Sequence, residues 1–226
     1  MTERTRIVVM AKAPVPGAAK TRLCPPFDLR QAARVAEAAL VDTLAAVDRA
    51  DAAAPMLALD GPPGPWLPPG FQVVPQRGRG LGERIAAVLA DADGPVLVIG
   101  MDTPQVTARL LESAIGLMGS PGIDAVLGPA VDGGWWAMGL RRPVPEVVLG
   151  VPMSAPFTGA AQRGRLRLLG VRCAPLPELR DVDGVGDAVA VAAEVPGSRF
   201  AVAVEGCLRE AAAVGGPPGR IVAGVR

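Results

Sequence analysis

Short runs of apolar residues alternate along this chain with longer segments in which apolar residues recur every three or four positions. Ile7 to Met10 and Val96 to Ile99 are runs of the first kind, and residues 29–50 form the clearest segment of the second kind. Buried parallel strands carry continuous apolar runs, whereas the crossover helices between them show helical spacing. The alternation therefore predicts an α/β fold with a mixed, mainly parallel sheet and helices on both faces. The predicted strands are 5–10, 55–59, 71–75, 96–99, 125–127, 135–138 and 171–176, and the predicted helices are 29–50, 81–92, 105–116, 145–149, 158–169, 185–195 and 200–214.

Length and composition limit the classes of protein that need to be considered. The 226 residues suit one large α/β domain, and 50% hydrophobic residues supply a substantial core. A net charge of +1 with 3% aromatic residues argues against a nucleic-acid partner, because such a surface needs a basic stripe with stacking platforms. Three widely separated cysteines predict reduced thiols. The N-terminus has no signal-peptide core and no stretch could span a bilayer, so we expect a cytoplasmic protein.

Both lysines of the chain, Lys12 and Lys20, lie in the segment that follows the first predicted strand, whereas every other basic residue is arginine. A lysine ammonium is a compact point charge and an arginine guanidinium is a planar fork, and phosphate sites use both. Ligands of open α/β sheets bind at the carboxyl ends of the strands. The segment from Met10 to Leu23 is therefore predicted to bind phosphate through Lys20 and Arg22. The alternative is a stiff surface turn with solvated cations, made by its prolines and Gly17.

Three aspartates are candidate metal ligands or neighbours of a metal. Asp102 follows the predicted strand 96–99, where its carboxylate could hold Mg²⁺ or Mn²⁺ against a diphosphate. The other reading is that Asp102 or Thr103 caps a helix that has Pro104 in its first turn. Asp181 and Asp183 are two residues apart, so both face the same side of an extended segment. We take Asp183 as the second ligand, with Asp181 and a simple turn as the alternatives.

Three close glycines in the stretch 78–82 could bring backbone amides near a base or phosphate at the start of the second long helix. Gln76, just before them, could read the edge of a nucleobase. Their spacing does not match the dinucleotide fingerprint, so we do not expect NAD binding. The plain alternative is a tight connection before an amphipathic helix.

The sequence contains no histidine, so acid-base chemistry must fall to carboxylates. Asp132 precedes two glycines that allow a ligand to approach the backbone closely, so it could orient or deprotonate an acceptor hydroxyl. An ordinary Asp-Gly turn explains the same residues. Trp135 and Trp136 would point to opposite faces of a strand, which predicts one in the core and one beside the acceptor site.

Five motifs in fixed order give the chain a family resemblance over most of residues 5–195. They are AKAPVPGAAKTRL at 11–23, QRGRGLGER at 76–84, GMDTP at 100–104, DGGWW at 132–136 and LRDVD at 179–183. The chain resembles a bacterial group of glycosyltransferase A-type, nucleotide-diphospho-sugar transferase-like proteins, which is related to phospholactate and molybdenum-cofactor guanylyltransferases. Two departures bear on the acceptor: Gly80 stands where relatives commonly carry an acidic residue, and residues 154–158 are an altered form of a Trp-Ser-Thr-Pro stretch.

The resemblance implies a Rossmann-like, nucleotide-binding catalytic domain over residues 1–195. The residue pattern after it predicts a C-terminal helix and, from the Gly/Pro segment 215–219 onwards, a flexible tail, together spanning 196–226. It implies a metal-dependent transferase in which Asp102 and Asp183 hold Mg²⁺ or Mn²⁺ and in which Lys20, Arg22 and Asp132 are catalytic. Nucleotide contacts are then expected from a set of loop residues, namely Lys12, Pro14, Gly17, Gln76, Gly80 and Gly82.

The expected donor is either a nucleotide-sugar, in glycosyl transfer, or a nucleoside triphosphate, in nucleotidyl transfer with release of pyrophosphate. In both reactions the acceptor is a small molecule. A nucleotide-binding protein without turnover is the third reading. The apolar final helix could cover a sheet edge or form a homodimer.

Overall fold

The computed structural model describes residues 4–214. The seven strands are β1 (Arg6–Lys12), β2 (Ala53–Asp60), β3 (Gln72–Pro75), β4 (Val96–Gly100), β5 (Ala125–Pro129), β6 (Trp135–Leu140) and β7 (Cys173–Pro175). The six α-helices are α1 (Leu29–Arg49), α2 (Leu81–Ala90), α3 (Ala108–Gly119), α4 (Thr158–Leu168), α5 (Val185–Glu194) and α6 (Arg199–Val214), and short 3-10 turns lie at Thr21–Leu23 and Pro145–Val147. No helix in this range has both the length and the apolarity needed to cross a bilayer.

The strands form a single sheet in the order β3-β2-β1-β4-β6-β5-β7. The pairs β1/β2, β1/β4, β2/β3 and β5/β7 are parallel. β6 runs antiparallel to both of its neighbours, β4 and β5. The prediction of a mixed, mainly parallel sheet is therefore confirmed, and the antiparallel strand is the one that begins at Trp135.

Both faces of the sheet are buried, as the continuous apolar runs predict. Ile7 and Val9 of β1 pack on one face with α1 and α3. Val8 and Met10 of the same strand pack on the other face with α2 and with Leu166 of α4. Because side chains of a strand alternate between faces, one apolar run supplies both cores.

A third apolar cluster joins α1, α5 and α6. Asp28 caps α1: its carboxylate accepts from the backbone N–H of Arg30 and Gln31, and the Gln31 side chain accepts from the Asp28 N–H. Phe200 and Cys207 of α6 are fully buried in this cluster. The final helix therefore packs on other helices and does not cover a sheet edge. The predicted flexible tail after Val214 lies outside the described residues.

The helix that follows β4 begins later than the sequence pattern predicts. Thr107 is its N-cap, with the Thr107 hydroxyl accepting from the Leu110 N–H at 3.2 Å, and the first helical residue is Ala108. Pro104 is therefore not in the first turn, and neither Asp102 nor Thr103 caps the helix. The helical periodicity of residues 105–107 is local, whereas the cap hydrogen bond fixes the real boundary.

Candidate active site

The candidate site lies at the carboxyl ends of β1 and β4, which are adjacent in the sheet. Their register pairs Met10 with Gly100, so the chain segments leaving both strands emerge side by side. β2 and β3 lie beyond β1, and every later strand lies beyond β4. This is the point where strand order reverses, and open α/β sheets bind ligands there.

Lys20 connects the two aspartates that the sequence singled out as metal ligands. Its Nζ lies 2.9 Å from Oδ1 of Asp102 and 3.7 Å from Oδ1 of Asp183, and it also donates to the carbonyl oxygen of Val182. Arg22 donates to Oδ2 of Asp183 at 3.0 Å. The Val182 N–H donates to the Asp102 carbonyl oxygen at 2.9 Å, which ties the segment 181–183 to the end of β4. These contacts join residues that are 80 to 163 positions apart in the sequence and bring them to one point.

The backbone of this region holds unusual conformations. Lys20 (φ 52°) and Ser154 (φ 56°) are the non-glycine residues with positive φ between residues 4 and 214. Lys20 borders one cavity of the site and Ser154 borders the other. A left-handed backbone conformation at a non-glycine residue costs free energy, and such residues are enriched at active sites and ligand-binding sites.

Two neighbouring cavities, which share bordering residues such as Asp102 and Asp183, flank the ion pairs. The first has a volume of about 500 Å³ and is bordered by Asp102, Asp132, Trp135, Asp181 and Asp183 among others. The second, of about 230 Å³, is bordered mainly by the basic loop, with Lys12, Lys20, Thr21 and Arg22 facing Asp102 and Asp183. The larger cavity is wide enough for part of a small ligand, and the smaller one carries the cations.

A third cavity, of about 910 Å³, lies at the opposite edge of the sheet and is remote from these residues. Several arginines border it, but Arg4 pairs with Asp51, and Arg172 makes a two-pronged contact with Asp124 at 2.7 and 3.0 Å. Because Arg4 and Arg172 are already paired, we take the two smaller cavities at the carboxyl ends of the strands as the candidate site, although the third cavity is larger.

The residues at this point fit a divalent cation. Asp102 and Asp183 already share one cationic group, the Lys20 ammonium, and carboxylate oxygens are the ligands that Mg²⁺ and Mn²⁺ prefer. Within residues 4–214, no cluster of three or more histidine, cysteine or acidic side chains has the geometry to bind an ion. An ion held by two carboxylates would complete its coordination with water or phosphate oxygens.

Asp181 borders the larger cavity together with Asp102, Asp132 and Asp183. The pKa of Asp181 is raised from its ordinary value of 3.8 to about 7, first by burial and then by the negative charges of Asp102, Asp132 and Asp183, which outweigh the opposing effect of Lys20. Asp181 and Asp183 thus both border the cleft, as their spacing predicts, but Lys20 contacts Asp183.

The Asp132 turn is built to fit against the start of α4. The Asp132 carboxylate accepts from the Gly134 N–H at 2.7 Å, and the Gly159 N–H donates to the Gly133 carbonyl oxygen at 2.8 Å. Gly133 has φ 87°, and a Cβ on it would lie 1.8 Å from the Pro156 carbonyl oxygen. Only glycine fits there, so the turn that the sequence offered as the plain alternative is present and places Asp132 at the cleft.

The two tryptophans separate as expected. Trp136 is buried, with its indole N–H donating to the Pro177 carbonyl oxygen at 2.9 Å. Trp135 packs partly buried on the other face and borders the 500 Å³ cavity. Core packing accounts for Trp136, and Trp135 is the aromatic surface available to a ligand.

Gln76 has a structural role that the sequence did not indicate. Both N–H groups of its amide are used, donating to the carbonyl oxygens of Ala11 (2.8 Å) and Ala58 (2.9 Å). Its carbonyl oxygen accepts from Arg84, which also pairs with Asp60 at 2.7 Å. With no free donor, the amide has only one acceptor position left for a base, and the expectation that Gln76 reads a base edge is not supported by this geometry.

The remaining loop candidates lie outside the residues that border the two cavities. This set consists of Pro14, Gly17, Gly80 and Gly82. Gly80 is the N-cap of α2, and Gly17 adopts φ 81° in the turn before Lys20. Pro14, Gly17 and Gly80 belong to the loops and Gly82 lies in the first turn of α2, whereas Lys12 borders the smaller cavity directly.

Sequence reasoning missed Met101, Met153 and Ser154 as residues of the cleft. The altered stretch at 154–158 was noted as a departure from the related proteins, and that departure was the available signal for Ser154. No sequence signal distinguishes Met101, whose sulfur accepts from the Lys12 N–H at 3.2 Å. Its place follows only from the adjacency of β1 and β4.

Solved structures share this arrangement of strands and helices. A protein from Desulfovibrio desulfuricans G20, provisionally described as a nucleotide-diphospho-sugar transferase, superposes with a TM-score of 0.80 at 26% identity, over 93% of this chain and 95% of that chain. A cytidylyltransferase from Leptospira borgpetersenii gives a TM-score of 0.56 at 12% identity, over 92% and 95%. A mannosyltransferase from Pyrobaculum calidifontis, in complex with GDP-Man and Mn²⁺, gives 0.52 at 12% identity, over 91% and 65%. No curated protein matches the chain.

The sheet topology is that of the glycosyltransferase A-type fold, and the comparisons indicate a transferase, as the sequence resemblance implied. The chain belongs to the family DUF2064, described as an uncharacterized protein conserved in bacteria, whose model matches residues 31–155. The matched segment includes Asp102 and Asp132. Lys20 and Asp183 lie on either side of it and reach the site through the fold.

Proposed function

We propose that the protein is a metal-dependent transferase that takes an activated nucleotide, and that it transfers a sugar from a nucleotide-diphospho-sugar to a small-molecule acceptor. The observation that carries this proposal is the convergence of Lys20, Arg22, Asp102 and Asp183 at the strand-order switch point, beside an open cleft. The relative from Desulfovibrio desulfuricans, described as a transferase of nucleotide-diphospho-sugars, supports the choice of donor.

Each charged group has a defined task in this proposal. Asp102 and Asp183 would hold Mg²⁺ or Mn²⁺, which would supply positive charge to neutralise the diphosphate leaving group. Lys12, Lys20 and Arg22 border the smaller cavity and contact the phosphate oxygens. Catalysis then depends on positioning and on electrostatic stabilisation of the departing diphosphate.

The acceptor binds in the larger cavity. Asp132 borders this cavity and is held by the hydrogen bond from Gly134, so its carboxylate can orient an acceptor hydroxyl and take its proton. The ring of Trp135 offers an apolar surface at the same cavity, which suits the face of a sugar or another partly apolar acceptor.

A second candidate is nucleotidyl transfer, and a specific feature favours it. Three cationic side chains, Lys12, Lys20 and Arg22, border a cavity of only about 230 Å³ next to Asp102. That density of positive charge suits a triphosphate that loses pyrophosphate, with an acceptor phosphate attacking the α-phosphorus. The fold is shared with a synthetase in complex with CTP (TM-score 0.52, 14% identity), which is consistent with this chemistry.

Thermal stabilisation tests which donor binds, because a ligand that binds the native state raises its melting temperature. We would screen nucleoside triphosphates and nucleotide-sugars, each with Mn²⁺, with Mg²⁺ and with a chelator. A metal-dependent shift with one nucleotide-sugar supports glycosyl transfer, and a shift with one triphosphate supports nucleotidyl transfer. Product analysis for nucleoside diphosphate or pyrophosphate then separates the two reactions.

The matched variants are Asp102→Asn in the site and Asp48→Asn on the exposed surface of α1. Loss of the metal-dependent shift in the first variant alone is expected. Binding without any product from a range of acceptors would indicate a nucleotide-binding protein without turnover. The absence of a shift with every nucleotide would contradict the proposed function.

A further inference from the structure

The Lys20 ammonium lies between the two carboxylates proposed to hold the metal. Its Nζ lies within 4 Å of one oxygen from each of Asp102 and Asp183, and a third contact goes to the Val182 carbonyl oxygen. The Lys20 side chain is only 10% exposed, whereas the two aspartate side chains are 39% and 45% exposed. The lysine is therefore the more buried partner, and solvent reaches both carboxylates.

An ammonium group and a divalent cation compete for the same oxygens. A cation placed between Asp102 and Asp183 would meet the Lys20 charge at a few ångströms, where like charges repel strongly. The lysine must therefore move when an ion binds. Since two carboxylates alone give an ion few protein ligands, free metal has little to offset that cost.

A bound nucleotide changes both the number of ligands available to the ion and the repulsion between the ion and Lys20. Its phosphates supply the oxygens that the ion lacks, and they supply a new anionic partner for Lys20. The smaller cavity lies beside the lysine and is bordered by Lys12, Arg22 and Lys20 itself, so the ammonium has a place to turn towards. The four-carbon stem of a lysine allows that change by side-chain rotation alone.

We propose that Lys20 is a latch that exchanges partners: it closes the Asp102–Asp183 pair in the absence of nucleotide and transfers to phosphate when the metal enters. The binding species is then the metal–nucleotide complex, and free metal is held weakly. This inference rests on the proposed function, because it requires the metal to bind at Asp102 and Asp183. It adds that Lys20 couples metal affinity to nucleotide affinity.

Binding of Mn²⁺ alone, followed by the paramagnetic resonance signal of the free ion, tests the latch without any activity measurement. We expect Lys20→Met to bind Mn²⁺ on the order of tenfold more tightly than the unmodified protein, within the usual range of coupling between sites. The matched control is Lys12→Met, which removes the same charge from the same cavity. Lys12 is exposed and has no ion pair among the described residues, so its loss should change Mn²⁺ affinity far less.

A second measurement uses reciprocity. The factor by which saturating nucleotide tightens Mn²⁺ binding should be smaller in Lys20→Met than in the unmodified protein, because the latch no longer has to be displaced. Lys20→Gln, a shorter uncharged variant, repeats the test if Lys20→Met does not fold.

The outcomes separate the latch from the proposed function. Unchanged or weaker Mn²⁺ binding in both Lys20 variants, with metal-dependent nucleotide binding intact in the unmodified protein, overturns the latch and leaves the function standing. An equal gain in Lys12→Met also overturns it, because the effect is then general electrostatics. Failure of the unmodified protein to bind Mn²⁺ with any nucleotide overturns both.

Discussion

Ionisation of Asp181 should make the metal-free protein less stable as the pH rises, and removing its carboxyl group should abolish that loss. Burial beside Asp102, Asp132 and Asp183 raises the pKa of Asp181 from 3.8 to about 7. Between these values the folded protein retains a proton that the unfolded chain has released. The native state then binds more protons than the unfolded state, so the free energy of unfolding falls as pH increases through this window.

The size of the effect follows from the shift. Each pH unit within the window costs about 1.4 kcal/mol, so the change from pH 5 to pH 7 amounts to up to about 3 kcal/mol. Asn in place of Asp181 resembles the protonated acid and does not titrate. Asp181→Asn should therefore gain up to about 3 kcal/mol more over the unmodified protein at pH 8 than at pH 5, roughly 6 to 12 °C in melting temperature for a chain of this length.

The assay is urea or thermal unfolding at pH 5 and pH 8 with a chelator present, so that no cation compensates the carboxylates. Asp48→Asn, on the exposed surface of α1, is the matched control and should show no pH-dependent gain. The reasoning is wrong if Asp181→Asn shows the same stability difference at both pH values. A variant Asp181→Asn that is less stable than the unmodified protein at pH 8 would also refute it, because the ionised carboxylate would then stabilise the fold.

Three further predictions concern the site and its scaffold. Asp102→Asn should remove the metal-dependent part of nucleotide binding. The circular dichroism spectrum should stay unchanged, because the Asp102 side chain is 39% exposed. Nucleotide titrations with metal that match those of the unmodified protein would contradict the metal assignment. Lys20→Ala should weaken binding of di- and triphosphates at least about tenfold and of nucleosides hardly at all, in calorimetric titrations with saturating metal; equal losses would contradict the phosphate role. Gly133→Ala should lower stability by at least about 2 kcal/mol, because its Cβ would meet the Pro156 carbonyl oxygen at 1.8 Å, whereas Gly150→Ala, at a similar φ of 79° but with open space around it, should cost less in the same melt.

The strands and helices themselves were largely predictable, because their signals are local. The apolar run 96–99 and the helical spacing of 29–50 each predict an element that the structure contains, and each observed element ends within one residue of the predicted end. The start of α3 was wrong by three residues, because periodicity does not record which side chain caps the helix. Thr107 does so through a hydrogen bond that only the folded turn reveals.

Part of the candidate site was also visible in the sequence. Lys20 stood out because lysine is rare in this chain, and Asp102 because it follows a buried strand. Both lie at the carboxyl edge, as an open α/β sheet requires. Gln76 could not be interpreted in this way, because its hydrogen bonds to Ala11 and Ala58 join strands that are distant in sequence.

The α/β class, the order of the elements, and the residue types available to bind phosphate and metal without histidine follow from the amino-acid sequence alone. The folded chain was needed to show that Lys20 pairs with Asp102 and Asp183, that Asp181 lies half-buried among other carboxylates, and that Trp135 borders the cleft. The physical reason is the range of the interactions. Propensity and periodicity act over a few residues, whereas ion pairs and desolvation depend on which distant segments the sheet brings to the same edge.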